Sequence, residues 1–267
     1  MNLFFDSLES RSLKINSRLC VGLDPRMEKI SAPYSKEDDP VFAFNKMIID
    51  ETSDFACCYK PNFAFYEALG IKGLEALQKT IAYIPDDIPV IADAKRGDIG
   101  STAEAYAKAI FDEFKCDGVT LNPLLGHDSM EPFLKRKDNG LYILCLTSNP
   151  GSRDFQRQDN LYRKIAEKIQ LWNEAGNCGM VVGATQPEHL KEIRQIAPDI
   201  PLLLPGIGSQ GGDLEGTVSA AADSKGGGFI INVSRGISQP PGEADIRERV
   251  RQAAKKYRDA INSVMEK

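Results

Sequence analysis

Short runs of apolar and β-branched residues recur along the chain, and several of them end in Gly, Pro, Asn, Asp or Ser. This pattern is typical of buried β-strands that lead into loops. Eight such strands are predicted, at 19 to 24, 56 to 62, 89 to 95, 118 to 123, 141 to 148, 178 to 185, 201 to 208 and 228 to 235. Between them lie segments with the three- or four-residue spacing of an amphipathic helix. The clearest helical segments are 41 to 55, 73 to 84, 101 to 114 and 160 to 175.

The alternation of strands and helices indicates an α/β fold. Strand starts recur about every 30 residues, which is the size of a βαβ unit, and strands that are apolar almost throughout are typical of a parallel sheet covered on both faces. In a chain of 267 residues, eight units favour a (β/α)8 TIM barrel over a doubly wound sheet. We predict a single barrel domain over residues 1–267, with a helical extension at 1–18 and a closing helix at 243–265.

Charge and hydropathy limit the possible partners. The formal net charge of -5 at pH 7 supplies no basic field for nucleic acid or for an anionic membrane surface. An anionic small ligand would therefore need cations placed locally in its site. No apolar run approaches the roughly 18 residues of a membrane span, and the first residues lack the features of a signal peptide. We expect a soluble protein that remains in the cytoplasm.

The cysteines and histidines do not suggest a metal or disulfide framework. The cysteines lie mostly within apolar runs without a CxxC pair, so we expect reduced core residues. They are Cys20, Cys57, Cys58, Cys116, Cys145 and Cys178. The two histidines, His127 and His189, are far apart and lack a neighbouring Cys or His. A zinc site is therefore not predicted, and a structural role is favoured for His127.

The stretch IADAKRGDIG, at 91 to 100, carries alternating charges where a buried strand should end. Residues i and i+2 of a strand share a face, so Asp93 and Lys95 should project together into the barrel mouth. Lys60 ends the neighbouring predicted strand, from which its ammonium could reach Asp93. The spacing predicts a row of Lys60, Asp93 and Lys95 on the side of the barrel that carries active sites. It is equally compatible with an ordinary loop ion pair, with Asp98 serving the start of the next helix.

Motifs across nearly the whole chain resemble those of one enzyme family. DAKRGDIGST, at 93 to 102, fits the DxKxxDI signature of the orotidine 5′-phosphate decarboxylases. Further similar segments follow in the family's order at the predicted strand ends: VGLDPR (21 to 26), YKPNFAFYE (59 to 67), LTSNPGS (146 to 152), LPGIGSQGGD (204 to 213) and NVSRGI (232 to 237). The first two of these segments resemble the longer bacterial subgroup of the family.

The resemblance implies a reaction and a set of catalytic residues. The substrate would be orotidine 5′-monophosphate, which is converted to UMP and CO2 in de novo pyrimidine biosynthesis without metal or organic cofactor. Lys95 would protonate C6 of the pyrimidine after CO2 departs. Asp93 would lie against the departing carboxylate, and Lys60 would orient Asp93 and contact the ribose.

The resemblance also implies a homodimer with shared active sites. In the family the second Asp of DxKxxD crosses to the partner's site, so Asp98 would be a catalytic residue contributed across the interface, together with Thr102. Asp24 matches the residue that binds the ribose, although an Asp after a strand is also a common turn residue. Ser148 matches the serine that hydrogen-bonds the pyrimidine ring.

Phosphate binding is expected where the last two strands end. Phosphate sites of this barrel frequently use the loops after strands 7 and 8, and Arg235, next to Gly236, supplies a bidentate donor there. The resemblance implies that Gln210 closes over the phosphate from a mobile loop. We expect residues 209–225 to form this phosphate-closing loop.

Two other functions are weighed against this one. A sugar-phosphate decarboxylase or aldolase of the same superfamily keeps DxKxxD but uses Mg²⁺, held by an acidic ligand where this chain has Lys60, and a cation there disfavours a metal ion. A noncatalytic phosphate-binding barrel is the second alternative, since fold alone does not determine function. The retention of every charged member of the site argues against it.

Overall fold

The computed structural model describes residues 3–184, 187–206 and 214–266, and these contain eight parallel strands. The strands are β1 Leu19–Leu23, β2 Ala56–Pro61, β3 Ile91–Arg96, β4 Gly118–Leu121, β5 Gly140–Leu146, β6 Cys178–Val182, β7 Leu202–Pro205 and β8 Phe229–Val233. Each observed strand begins within two residues of the predicted start. Most of the strands end one to three residues before the predicted end. The early ends leave the polar residues of the predicted strand tips in the loops of the barrel mouth.

The strands close into a barrel. Their order is β2-β1-β8-β7-β6-β5-β4-β3, so the sheet leaves β2 and β3 as its two edges. These edges are joined by isolated parallel bridges between Tyr59 and Val90 and between Asn62 and Asp93, and Tyr59 N donates to Pro89 O at 3.0 Å. The predicted (β/α)8 barrel in a single domain is confirmed.

Helices surround the barrel. They are α1 Leu3–Lys14, α2 Pro40–Thr52, α3 Phe63–Glu67, α4 Gly70–Tyr83, α5 Gly100–Lys108, α6 His127–Leu134, α7 Leu161–Trp172, α8 Pro187–Ile196, α9 Leu214–Ala221, α10 Arg235–Ser238 and α11 Ile246–Met265. Short turns of 3₁₀-helix occur at Met27–Lys29, Pro123–Leu125, Pro150–Arg153 and Gln158–Asn160, and α5 continues as a π-helical turn at Ala109–Glu113. None of the described helices has both the length and the apolar character needed to cross a bilayer.

Each helix packs against its neighbours through an apolar face, as α11 illustrates. In α11, the buried residues Ile246, Val250, Ala254 and Ile261 recur at helical spacing, so they form a stripe that faces α2 and α9. The opposite face of α11 is polar and exposed. Burial of such stripes against the sheet is the main source of helix stability in a barrel of this kind.

Helix α9 corrects the expected extent of the mobile loop. Leu214–Ala221 lies within the predicted loop at 209–225, yet it is a helix with Thr217, Val218, Ala220 and Ala221 buried. Thr217 Oγ1 donates to Ala184 O at 2.9 Å, which ties α9 to the end of β6. This half of the predicted loop belongs to the outer helical layer, because its apolar residues have a helical spacing. Residues 207 to 213 lie outside the described residues.

Helix α1 covers the end of the barrel opposite the mouth. Phe4 of α1 is buried beside Gly118 and Gly140, the first residues of β4 and β5, where a Cβ atom at Gly140 would overlap the Phe4 ring. The Phe4 ring also meets Tyr142 edge to face, with ring centroids 6.2 Å apart. The glycines therefore let an aromatic side chain close the bottom of the barrel.

We predict that Phe4→Ala lowers the free energy of unfolding by about 3 to 5 kcal/mol, the usual cost of emptying a buried aromatic site. Urea titration followed by circular dichroism measures this change. Leu13→Ala is the matched control on the same helix, because Leu13 is 69% exposed, and it should change stability by less than about 0.5 kcal/mol. Equal losses in the two variants would contradict this role of Phe4.

Candidate active site

Three charged side chains meet at the mouth of the barrel, where β2 and β3 end. The ammonium nitrogen of Lys60 lies 2.5 Å from Asp93 Oδ2. The ammonium of Lys95 contacts the other carboxylate oxygen, Asp93 Oδ1. The structure thus brings together Lys60, Asp93 and Lys95, whereas their catalytic roles stay predictions.

The three side chains differ in their access to a ligand. The side chain of Lys60 is 5% exposed and that of Asp93 is 10% exposed, whereas that of Lys95 is 48% exposed. Lys95 is therefore the cation of this group that a bound molecule can reach most easily. Lys60 lies deeper and can act by holding Asp93 in place.

The contact between Lys95 and Asp93 does not arise from the regular alternation of side chains along a strand. Pairing between β3 and β4 is regular at Ala92 but shifts its register before Arg96, and Lys95 has a positive φ of 46°. Such an irregularity is a β-bulge, which redirects side chains and is frequent beside active sites. The predicted proximity of Asp93 and Lys95 is observed, but its cause is the bulge and not the shared face of a regular strand.

Electrostatic interactions keep Lys60 and Asp93 charged. Burial opposes the positive charge of Lys60, but the carboxylates of Asp93 and Asp24 outweigh it and raise the pKa of Lys60 above its ordinary value. Burial likewise opposes the negative charge of Asp93, but Lys60 and Lys95 hold the pKa of Asp93 below its ordinary value of 3.8. At neutral pH the site therefore presents a carboxylate fixed between cations.

A cleft of about 250 Å³ lies beside this group. Asp24, after β1, and Ser234, after β8, line it together with Lys60 and Asp93. Asp24 Oδ1 and Ser234 Oγ are both buried and have no hydrogen-bond partner among the described residues. Since buried polar atoms are normally satisfied, these two atoms indicate where a polar ligand would be held.

Cationic residues line the same cleft at the end of β8. Arg235 and Gly236, at the start of α10, and Arg26, after β1, all contribute to its wall. The guanidinium of Arg235 is exposed and makes no ion pair within the described part of the chain. Gly236 faces Tyr257, whose hydroxyl would clash with any Cβ atom there. Gln210 lies outside the described residues, so its predicted contact with phosphate stays a prediction.

Within the described residues, Asp98 and Thr102 make no hydrogen bond or ion pair with Lys60, Asp93 or Lys95 of the same chain. Asp98 Oδ1 accepts from the neighbouring Ile99 N at 2.8 Å, and Thr102 is exposed in the first turn of α5. The N-cap of α5 is Ile99, and no side chain caps this helix. Asp98 directly precedes this N-cap, so its carboxylate lies at the N-terminus of α5, where an anion is favoured. The structure is therefore compatible with both interpretations of Asp98.

Ser148 follows β5 and is half-buried. It lies against Gly183, where a Cβ atom would come within 2.7 Å of Ser148 N. The preceding residue is held by Gln156, whose Oε1 accepts from Thr147 N at 2.7 Å and from Thr147 Oγ1 at 3.0 Å. The loop after β5 thus presents Ser148 from a well-supported backbone.

Comparison with known proteins identifies the family. The model of the orotidine 5′-phosphate decarboxylase / HUMPS family matches residues 17–252. The chain belongs to this family.

Individual relatives agree with this assignment. A bacterial relative named orotidine 5′-phosphate decarboxylase, from Dehalococcoides mccartyi, is 47% identical over 267 residues, and the match covers 97% of each chain. Another from Herpetosiphon aurantiacus, with the same name, is 47% identical over 261 residues and covers 96% of each. The structure of Leishmania donovani OMP decarboxylase aligns with a TM-score of 0.88 at 39% identity, covering 100% of both chains.

Family membership agrees with the resemblance found in the motifs, but the structure adds residues to which the motifs had assigned no role. Thr120 of β4 is buried and donates to Asp93 Oδ1 at 3.1 Å. Ser234 and Asn232 line the cleft beside Asp24. Thr120 stands between the apolar Val119 and Leu121 of the predicted strand, and this is a signal that could have found it, because a buried polar residue needs a partner.

The site is poorly suited to hold a metal ion. Within the described residues, no three His, Cys, Asp or Glu side chains have the arrangement of metal ligands. The carboxylate of Asp93 is already engaged by two ammonium groups, which repel a cation. His127, for which a structural role is predicted, lies instead beside Trp172, with ring centroids 5.7 Å apart.

We predict that Asp93→Asn lowers the free energy of unfolding by about 3 to 5 kcal/mol at pH 7, because Lys60 then remains buried without its carboxylate partner. Since the folded-state pKa of Asp93 lies below its ordinary value of 3.8, its contribution is complete above that value and is lost as the pH falls further. Urea titrations of both proteins between pH 3 and pH 8, as far down as both still fold, measure the difference.

The control for this prediction is Asp112→Asn, which breaks an exposed ion pair with Arg136. Exposed pairs contribute little, so this variant should be much less destabilised at every pH. A difference between wild type and Asp93→Asn that grows as the pH falls below about 4 would contradict the sign of the pKa shift.

Proposed function

We propose that this chain is a carboxy-lyase that converts orotidine 5′-monophosphate to UMP and CO2, with Lys95 as the proton donor to C6. The observation that carries the proposal is the group of Lys60, Asp93 and Lys95 at the barrel mouth, in which the Lys95 side chain is half exposed. Membership in the orotidine 5′-phosphate decarboxylase / HUMPS family supports the substrate. The reaction belongs to pyrimidine nucleotide biosynthesis.

The chemistry requires stabilisation of negative charge at C6. When the bond between C6 and the carboxylate carbon breaks, CO2 leaves and the electron pair stays on C6, which has no adjacent electron sink. A fixed cation near C6 lowers the energy of this state because no dipole has to reorganise during the reaction. Lys95 supplies the cation and then transfers its proton to C6, and the resulting amine regains a proton from water.

Asp93 and Lys60 set the geometry of this proton donor. Lys95 has three N–H donors, and its contact with Asp93 Oδ1 directs the ammonium while leaving others available to C6. Asp93 would also lie beside the substrate carboxylate and favour its departure, and Lys60 holds Asp93 from the opposite side at 2.5 Å. In this proposal Lys60 also contacts the ribose.

The other predicted site residues bind the nucleotide. Asp24, with its unpartnered Oδ1, accepts a hydrogen bond from the ribose, and Ser148 bonds the pyrimidine ring. Arg235 forms a bidentate contact with the phosphate beside the close-packed backbone of Gly236. Gln210 completes the phosphate site from the segment after β7. Binding energy from the phosphate is then used to position the distant C6 centre.

A homodimer would complete the active site, with Asp98 and Thr102 entering the partner's cleft. This arrangement is supported by the lack of any hydrogen bond or ion pair between Asp98 and the charged group within the described part of one chain. It is also supported by exposed apolar side chains beside the mouth, at Ile99, Leu124 and Leu125, since exposed apolar patches mark interaction surfaces. We further propose that the enzyme works in the cytoplasm and that the six cysteines, which are all buried and unpaired, remain reduced there.

The alternatives fit the site less well. A Mg²⁺-dependent relative needs an acidic ligand where the Lys60 ammonium is buried against Asp93, and this ammonium repels a metal ion. A noncatalytic phosphate-binding barrel needs Arg235 but has no use for a buried carboxylate between two lysines, which is costly to maintain. The charged group therefore favours catalysis without a metal ion.

We predict that Lys95→Ala lowers kcat about 1,000-fold or more, because it removes both the charge near C6 and the proton donor. The decrease in orotidine absorbance measures turnover, and circular dichroism checks that the variant is folded. Lys168→Ala is the control, because this lysine lies exposed on α7 and should keep the wild-type rate. The wild-type rate should also survive EDTA. Substantial activity of Lys95→Ala would contradict the assignment.

We predict that two inactive variants complement each other if Asp98 acts across the dimer. Asp98→Ala and Lys95→Ala protomers that are denatured together, mixed in equal amounts and refolded should recover about a quarter of the wild-type activity, because half of the dimers then contain one intact site. Each variant refolded alone is the control. No recovery, with mixed dimers verified by a tag on one variant, would place Asp98 in its own chain's site.

A further inference from the structure

The bulge in β3 places three residues opposite one residue of β4. Ala92 pairs with Val119 and Arg96 pairs with Leu121, so the segment from Asp93 to Lys95 faces Thr120 alone. A bulge breaks the regular hydrogen-bond ladder and leaves backbone groups in need of other partners. Lys95 also has a φ of 46°, a left-handed conformation that is unfavourable for a residue with a side chain. Something outside β3 must therefore hold this segment in shape.

The hydroxyl of Thr120 contacts each of the three residues of the bulge. Thr120 Oγ1 accepts from Ala94 N at 3.1 Å and from Lys95 N at 2.9 Å. The same hydroxyl donates to Asp93 Oδ1 at 3.1 Å. A hydroxyl has one donor and two acceptor positions, so every one of them is used within the bulge. Thr120 is 2% exposed, which excludes water as a ready substitute.

We propose that Thr120 is a positioning residue that sets the Lys95 ammonium for proton transfer by holding both the backbone of Lys95 and the carboxylate of Asp93. This inference rests on the proposed function and deepens it. Lys95 is fixed at two points, its backbone N–H and its ammonium, and both lead back to the hydroxyl of Thr120. Loss of the hydroxyl releases both points together. The nucleotide contacts of Asp24 and Arg235 come from β1 and β8 and do not pass through Thr120.

The test compares Thr120→Val with Thr120→Ser. Valine keeps the shape and branching of threonine but has no hydroxyl, so kcat should fall about 100-fold, the cost of a small misplacement of a reacting group. KM and the affinity for UMP should stay within about threefold, because the ribose and phosphate contacts are intact. Serine retains the hydroxyl and should keep kcat within about threefold of wild type, since the same three hydrogen bonds can form.

The control is Thr80→Val, which removes another buried hydroxyl. Thr80 Oγ1 donates to Ala76 O at 2.7 Å and accepts from Asn45 Nδ2 at 3.0 Å in the helical layer. This variant should be less stable but keep its kcat. If Thr120→Val behaves in the same way, or if only its KM changes, the positioning role is wrong. It is also wrong if Thr120→Ser loses as much kcat as Thr120→Val.

Two further measurements test the proposal if Thr120→Val does not fold or if turnover cannot be measured. If Thr120→Val does not fold, Thr120→Ala replaces it, and equal kcat values for Thr120→Ala and Thr120→Ser overturn the proposal. Crystal structures of the variants test the positioning without substrate. Lys95 should leave the positive φ region and lose Asp93 Oδ1 in the variant without the hydroxyl, and keep both in Thr120→Ser. Absence of turnover by the wild type contradicts the proposed function alone, whereas an unmoved Lys95 contradicts the role of Thr120.

Discussion

The charged group at the barrel mouth depends on one buried carboxylate, Asp93, held between the ammonium groups of Lys60 and Lys95. Removing these charges from water costs free energy, which is offset only when the partners are held at hydrogen-bonding distance. The barrel supplies that geometry because Asn62, just after β2, bridges to Asp93 and donates from its backbone N to Leu23 O at 3.3 Å. The closure of the barrel and the assembly of the charged group therefore occur at the same place.

The two ends of the barrel differ in composition: one is packed with apolar side chains and the other carries polar atoms without partners. At the bottom, glycines of β4 and β5 allow Phe4 of α1 to cover the core, so this end contributes stability. At the mouth, Asp24 and Ser234 keep buried atoms without partners, an arrangement that lowers stability and is typical of a binding site. The separation allows strained features such as the bulge in β3 to be tolerated, because the rest of the barrel maintains the fold.

The motifs contain the residues of the site but not the means by which they meet. Lys60, Asp93 and Lys95 are recognisable in the sequence because they stand at strand ends, where this fold carries its active sites. The bulge that brings Lys95 to Asp93, and the hydroxyl of Thr120 that supports it, depend on the pairing of β3 with β4. Helix α9 is a second feature that the motifs did not reveal. Its residues were predicted to belong to the loop at 209–225 because glycines lie on both sides of them, yet Leu214–Ala221 is a helix.

The sequence by itself determined the alternation of strands and helices, the barrel fold and the family, because hydrophobic periodicity and short motifs are local properties of the chain. Only the tertiary structure decided how β2 and β3 close the barrel and which residue supports the bulge. These features depend on the register between strands that are distant in sequence, and a shift of one residue would turn each side chain to the other face.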